Sequence, residues 1–148
     1  MVDVPPGLSD WTGFLLIKCG WWLHRMTEVA LKELDLRDRH LMALIILNAA
    51  DGLAQQDLAR HLALDPTLVV ALVDDLEDKE LCERARHPED RRRHVIQLTA
   101  KGRRMYRDAR ALAVKVGDEI FAPLERSERA QLTAMLKRIM EPLWLRPK

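Results

Sequence analysis

The stretch LVDDLEDKELCERARHPEDRRRHVIQLTAKG, Leu72–Gly102, decides how this chain folds. Its first residues continue a helix begun at Asp65, with Val69, Leu72, Val73 and Leu76 at the i, i+3, i+4, i+7 spacing of one apolar face. Asp65 is a good N-cap, and Pro66 suits the first helical position, where no backbone N–H has to be paired. The period then changes. Leu81–Arg86 and Arg93–Leu98 each fit a short strand, and the turn His87-Pro88-Glu89-Asp90 with two arginines joins them into a hairpin. Thr99 can cap the helix that follows.

Immediately upstream, Ala54–Leu62 sets Leu58, Ala59 and Leu62 on one side of a short helix, and Ala63-Leu64-Asp65 makes a tight turn. Two short helices this close form a helix-turn-helix, and a basic-tipped hairpin directly after it makes a winged helix. The rest of the chain flanks this unit. After a loose arm, Met1–Leu8, Ser9 or Asp10 can cap a long helix running to about Glu33. Its first half (Trp11, Phe14, Leu15, Leu16, Ile17, Trp21, Trp22, Leu23) is apolar nearly all round, so it needs cover from its own core and from a second subunit. A second helix from about Arg37 to Ala50 carries Leu41, Leu44, Ile45 and Asn48 on one face, and Asp51-Gly52 ends it. Beyond the hairpin, a long helix presents Met105, Ala109, Leu112, Val116 and Ile120 until Pro123 breaks it. A last helix, capped by Ser127 and ended by Pro142, presents Leu132, Met135, Leu136, Ile139 and Met140. The predicted class is mainly α with a small β-hairpin.

A length of 148 residues with 48% apolar content suits a single core. A net charge of +1 excludes a uniformly basic nucleic-acid binder, but the charge is unevenly placed. Residues 65–83 hold seven acids against Lys79, a net −6, and residues 84–104 hold eight bases against Glu89 and Asp90, a net +6. Adjacent blocks of opposite sign point to a local electrostatic device. Cys19 and Cys82 are too few for a disulfide framework, and the apolar run Phe14–Ile17 is too short for a signal core or a membrane span. A reducing, cytoplasmic setting follows. The five histidines show no metal-ligand spacing, and no nucleophile elbow, phosphate loop or carboxylate pair asks for an enzyme. No cofactor or metal is expected.

The same stretch resembles the MarR family of winged-helix transcriptional regulators. The family pattern is met by Leu76-Glu77, Leu81, Arg84, Asp90-Arg91-Arg92 and the closing Leu98-Thr99-Ala100-Lys101-Gly102, with a looser match of element order over nearly the whole chain. Glu80 stands where the family tends to have glycine, at a helix end that favours positive φ. The resemblance implies a winged helix-turn-helix with N- and C-terminal dimerisation helices. Residues 1–35 and 103–148 then form the dimerisation region and 36–102 the DNA-binding region, within one compact domain.

It further implies a homodimeric repressor of double-stranded DNA, released by a small aromatic or anionic effector; the alternative is a winged-helix dimer that binds a protein partner. Wing residues Arg86, Arg91 and Arg93 would contact phosphates or enter a minor groove, the plainer alternative being a solvated, charge-rich turn. The N-terminal residues of the recognition helix, Thr67, Leu68 and Ala71, would meet base edges and thymine methyls. Asp74, at a common family Asp, would pair with Arg92 to fix the wing; Asp75 and Asp78 would face phosphate unless they pair with the wing. Trp21, Trp22, His24, Arg25 and His40 would line the effector pocket, or the two tryptophans would be dimer core. Cys19 lies where peroxide-sensing relatives place a reactive thiol. No tyrosine comes with it from the second helix, so an inert buried thiol is expected.

Overall fold

A computed structural model describes residues 7–8, 10–50, 52–86 and 94–144. In chain order it has α1 (Thr12–Leu31), a short 3₁₀ turn (Lys32–Leu34), α2 (Asp38–Ala49), α3 (Gln55–Leu62), α4 (Pro66–Asp78), β1 (Cys82–Arg86), β2 (His94–Leu98), α5 (Ala100–Ile120) and α6 (Arg126–Trp144). The winged helix and its two flanks are present, with small shifts at the ends.

The first shift is at the start of α1. Trp11, not Ser9 or Asp10, is the boundary residue and no side chain caps it, because a turn carries the Trp11 N–H to the Leu8 carbonyl. On α2 the buried face is His40, Leu41, Ala43, Leu44 and Leu47, whereas Ile45 and Asn48 are exposed. The face is rotated from the predicted one because α5 and β2 both pack on α2 and draw its 40/43/44/47 side inward. At α6, the Glu125 N–H donates to Glu128 Oε2 (2.8 Å), so Glu128 rather than Ser127 closes the first turn. Pro142 lies inside α6: it removes one i→i−4 bond but does not stop the helix.

The core is built by the winged helix and the second half of α1. Leu31, Leu44, Leu47, Leu58, Val69, Val73, Leu76, Leu81 and Ile96 are buried in one cluster. The hairpin pairs antiparallel, from Cys82 opposite Leu98 to Arg86 opposite His94. Leu53 adds a single rung on the other edge of β2 that sequence pattern did not foreshadow, exchanging both backbone bonds with Ile96 (3.0 and 2.8 Å).

The junction that sets the hairpin against α4 explains the Leu-Thr-x-x-Gly signature. α4 ends with Glu80 at φ +59°, while Leu81 N–H returns to the Leu76 carbonyl (2.8 Å). That is a left-handed C-cap built without glycine. Lys101 Nζ lies 2.8 Å from Glu80 Oε2, an anchor that glycine would lack. Thr99 Oγ1 donates to the Glu80 carbonyl (2.7 Å) and accepts from Gly102 N–H (2.9 Å), starting α5 as predicted. A Cβ on Gly102 would fall 1.8 Å from the Leu81 carbonyl oxygen. Only glycine lets α5 start so close to β1.

Candidate nucleic-acid interface and effector cleft

Asp65 accepts from Thr67 N–H (2.8 Å) and Pro66 opens α4, so this helix starts where the sequence predicts. Val69, Leu72, Val73 and Leu76 face the core. Burying that stripe leaves Thr67, Leu68, Val70, Ala71, Asp74 and Asp78 on the outside. Thr67, Leu68 and Ala71 share the exposed surface, as a groove-reading face requires.

The acids on α4 divide between two directions. Arg84 in β1 forks across two of them: Nη2 lies 2.7 Å from Asp74 Oδ1, Nη1 binds Glu77, and the Arg84 backbone N–H donates to Glu77 Oε1 (2.9 Å). Asp74 therefore ties α4 to the hairpin through Arg84. Arg92, predicted for that role, lies outside the described residues, as do Arg91 and Arg93. Arg86 is exposed at the far end of β1, opposite exposed His94. Arg84 thereby offsets one of the two charges of Asp74 and Glu77 beside the exposed face of α4.

Asp75 points inward instead. Its Oδ2 lies 2.9 Å from Nε2 of His40, which is only 2% exposed, but off the line of the ring N–H, so that nitrogen has no aligned hydrogen bond. His40 Nδ1 accepts from the Arg37 N–H (3.0 Å) and so helps cap α2; the neutral ring then carries its proton on Nε2. Burial holds His40 below the usual histidine range, partly offset by Asp75. Lys79 reaches Asp35 in the turn after α1, and this contact lowers the Asp35 carboxyl and raises the Lys79 ammonium. Glu28 on α1 accepts from the Asp38 N–H (2.7 Å). Polar contacts thus join α1, the α1–α2 turn and α4 around a charged cleft of about 440 Å³.

The five residues proposed for one effector pocket do not meet in one place. Trp22 and Arg25 line a cleft of about 350 Å³ between α1 and α5, with Met26, Val29, Leu112 and Lys115. Trp21 packs edge-on against Trp22 (4.9 Å between centroids), with the Arg25 guanidinium over its ring at 5.4 Å. His24 turns to Asp38 (3.4 Å), and His40 belongs to the charged cleft. The reason is helical: Trp22, Arg25, Met26 and Val29 share a face at i, i+3, i+4 and i+7, which His24 does not. That spacing was visible in the sequence and would have found Met26 and Val29. Lys115 and Leu112 come from α5, which sequence spacing does not connect to α1.

Cys19 is exposed in this chain rather than buried, because the first half of α1 has no cover; Cys82 is buried, and burial pushes its thiol up to about 12. Among the described residues no helix is long and apolar enough to cross a membrane, and no group of three His, Cys, Asp or Glu side chains could hold a metal ion.

A winged helix with an open recognition face defines a class of DNA-contacting proteins, and comparison with known proteins specifies which. The MarR family model matches residues 36–94. A MarR-family transcriptional regulator from Rhodococcus sp. RHA1 is 32% identical and superposes over 93% of this chain and 97% of that one, with a TM-score of 0.82. CouR from Rhodococcus jostii RHA1, solved bound to p-coumaroyl-CoA, is 32% identical over 90% of this chain and 94% of its own, TM-score 0.79. It has also been solved bound to a 23-mer DNA duplex. The HTH-type transcriptional repressor Rv2887 of Mycobacterium tuberculosis (strain ATCC 25618 / H37Rv) is 27% identical across 90% of this chain and 97% of that protein. The chain belongs to the MarR family and is a winged-helix transcriptional regulator.

Proposed function

We propose that a homodimer of this chain binds double-stranded DNA as a repressor in the cytoplasm and releases it when a small aromatic or anionic effector occupies the cleft between α1 and α5. The observation that carries the DNA reading is the exposed face of α4 with its neighbouring acids held by Arg84. Residues 36–102 make the DNA contacts, through Thr67, Leu68 and Ala71 and through Arg86, Arg91 and Arg93; residues 1–35 and 103–148 join the two subunits. In the cleft, Arg25 and Lys115 suit a carboxylate or phosphate and Trp22 suits a ring. CouR, solved both with p-coumaroyl-CoA and with a DNA duplex, supports this pairing of partners. The role is regulatory, not enzymatic.

Anisotropy titration of the DNA upstream of the protein's own gene tests the proposal, with saturable binding expected. Each lost phosphate contact lowers the slope of log K against log[salt] by about 0.9. Arg91→Ala with Arg93→Ala should flatten that slope by roughly two to four units in a dimer and weaken specific and random DNA alike. A folded double variant with the parent's affinity and slope would reduce the arginines to a solvated turn. Absence of binding to any DNA would favour a protein partner instead.

A further inference from the structure

Apart from the Thr67 hydroxyl, the recognition helix lacks the side chains that ordinarily identify bases by hydrogen bonds. Hydrogen-bonded readout of the major groove uses arginine or lysine on guanine, asparagine or glutamine on adenine, and a free carboxylate on cytosine. From Pro66 to Leu76 α4 has no Arg, Lys, Asn or Gln. Its outermost carboxylate there, Asp74, is bound by Arg84, and Asp75 faces His40. Near its N-terminus α4 instead exposes carbon: Leu68 is 55% exposed and Val70 39%, with Ala71 and the methyl of Thr67 beside Leu68. Thr67, Leu68 and Ala71 fall at i, i+1 and i+4, so they form one continuous patch.

We propose that α4 reads thymine C5-methyl groups, with Leu68 as the residue that determines specificity, and that each half-site therefore presents thymines to the helix. This rests on the reading that α4 enters the major groove. The thymine methyl is the one apolar marker in that groove, and it distinguishes T·A from the other pairs without a hydrogen bond. Burying an exposed leucine against it removes apolar surface of both partners from water. Arg84 is shared by Asp74 and Glu77 and offsets one of their two charges, which reduces the repulsion that phosphate meets beside the patch. A small apolar patch at the N-terminal end of α4, with Arg84 offsetting the nearest acids, matches the groove floor better than a second protein surface.

The test starts from random DNA rather than from a chosen operator. Duplexes are enriched from a random pool with the full-length protein, and the thymines of the enriched half-site are then replaced by deoxyuridine, singly and together. Uracil keeps every pairing and groove hydrogen bond and removes only the methyl. The expected result is a loss of about four-fold in affinity for each buried methyl, and about sixteen-fold when both half-sites lose it. Leu68→Ala, checked for parental helix content, should weaken binding to thymine DNA and abolish most of the difference between thymine and uracil. Equal affinity of the parent protein for thymine and uracil duplexes would overturn the methyl reading and leave DNA binding itself intact. Failure to enrich any sequence would overturn the DNA reading as well, so the two failures are distinguishable.

Discussion

Ile17 and Leu31 belong to the same helix, yet Leu31 is fully buried and Ile17 is 67% exposed. The second half of α1 lies against α5 and the α2 turn, within the core that it shares with the winged helix. The first half, with Leu15, Leu16, Trp21 and Trp22, has no such cover, and Met135 and Ile139 on α6 are as open. α6 is held to the rest largely by one side chain: Arg129 donates to the Phe121 carbonyl (3.0 Å) and to Asp118 Oδ1 (2.8 Å) at the end of α5. One region is complete as a single chain and the other is an apolar surface open to a partner. The same hydrophobic pattern therefore serves folding in one half of the helix and, in the dimer proposed above, association in the other.

Four measurements probe this contrast. The largest effect belongs to the core: Leu44→Ala, at a fully buried site, should cost about 2–5 kcal/mol in denaturant unfolding. A loss below about 1 kcal/mol would mean the winged helix is not the stability centre. The second concerns the open half. Ile17→Glu should weaken dimerisation by at least roughly 30-fold, as expected for a central interface residue, and leave helix content unchanged. Sedimentation that shows an undisturbed dimer would place the interface elsewhere.

A smaller, pH-dependent effect should come from His40. Burial lowers its folded pKa from the ordinary 6.5, so the unfolded chain binds the proton more readily. The stability due to its neutral form is complete above pH 6.5 and declines as pH falls toward the lower folded value. Asp75 on α4 opposes the shift, whereas Arg39 and Lys79 reinforce it. His40→Gln should flatten the pH dependence of unfolding below pH 6.5; an unchanged slope would show that the ring does not titrate differently on folding. The smallest effect is chemical. At about pH 8 iodoacetamide should modify exposed Cys19 in a dissociated subunit and leave Cys82 intact, since its thiol is pushed up to about 12. Cys19→Ser should bind DNA like the parent, and peroxide should not release DNA; oxidant-driven release that disappears in this variant would reinstate a thiol sensor.

The features legible from the residues alone are local ones. Asp65 and Thr99 cap the helices predicted for them, and the hairpin strands are found within a residue of their expected ends. Each depends on neighbours within one or two turns, where side-chain chemistry and helical period leave few alternatives. Packing settled whatever depends on distant partners. Leu53 became a rung because Ile96 came alongside it, and Arg84 met Asp74 because β1 runs beside α4. His40 left the predicted effector pocket for the core because α5 and β2 rotated α2, and Trp22 met Lys115 only because α1 packs on α5. Local periodicity shows that a face is apolar, but which element covers it is decided by the packing of the whole chain, since burial is non-directional and every apolar face can bury against several others.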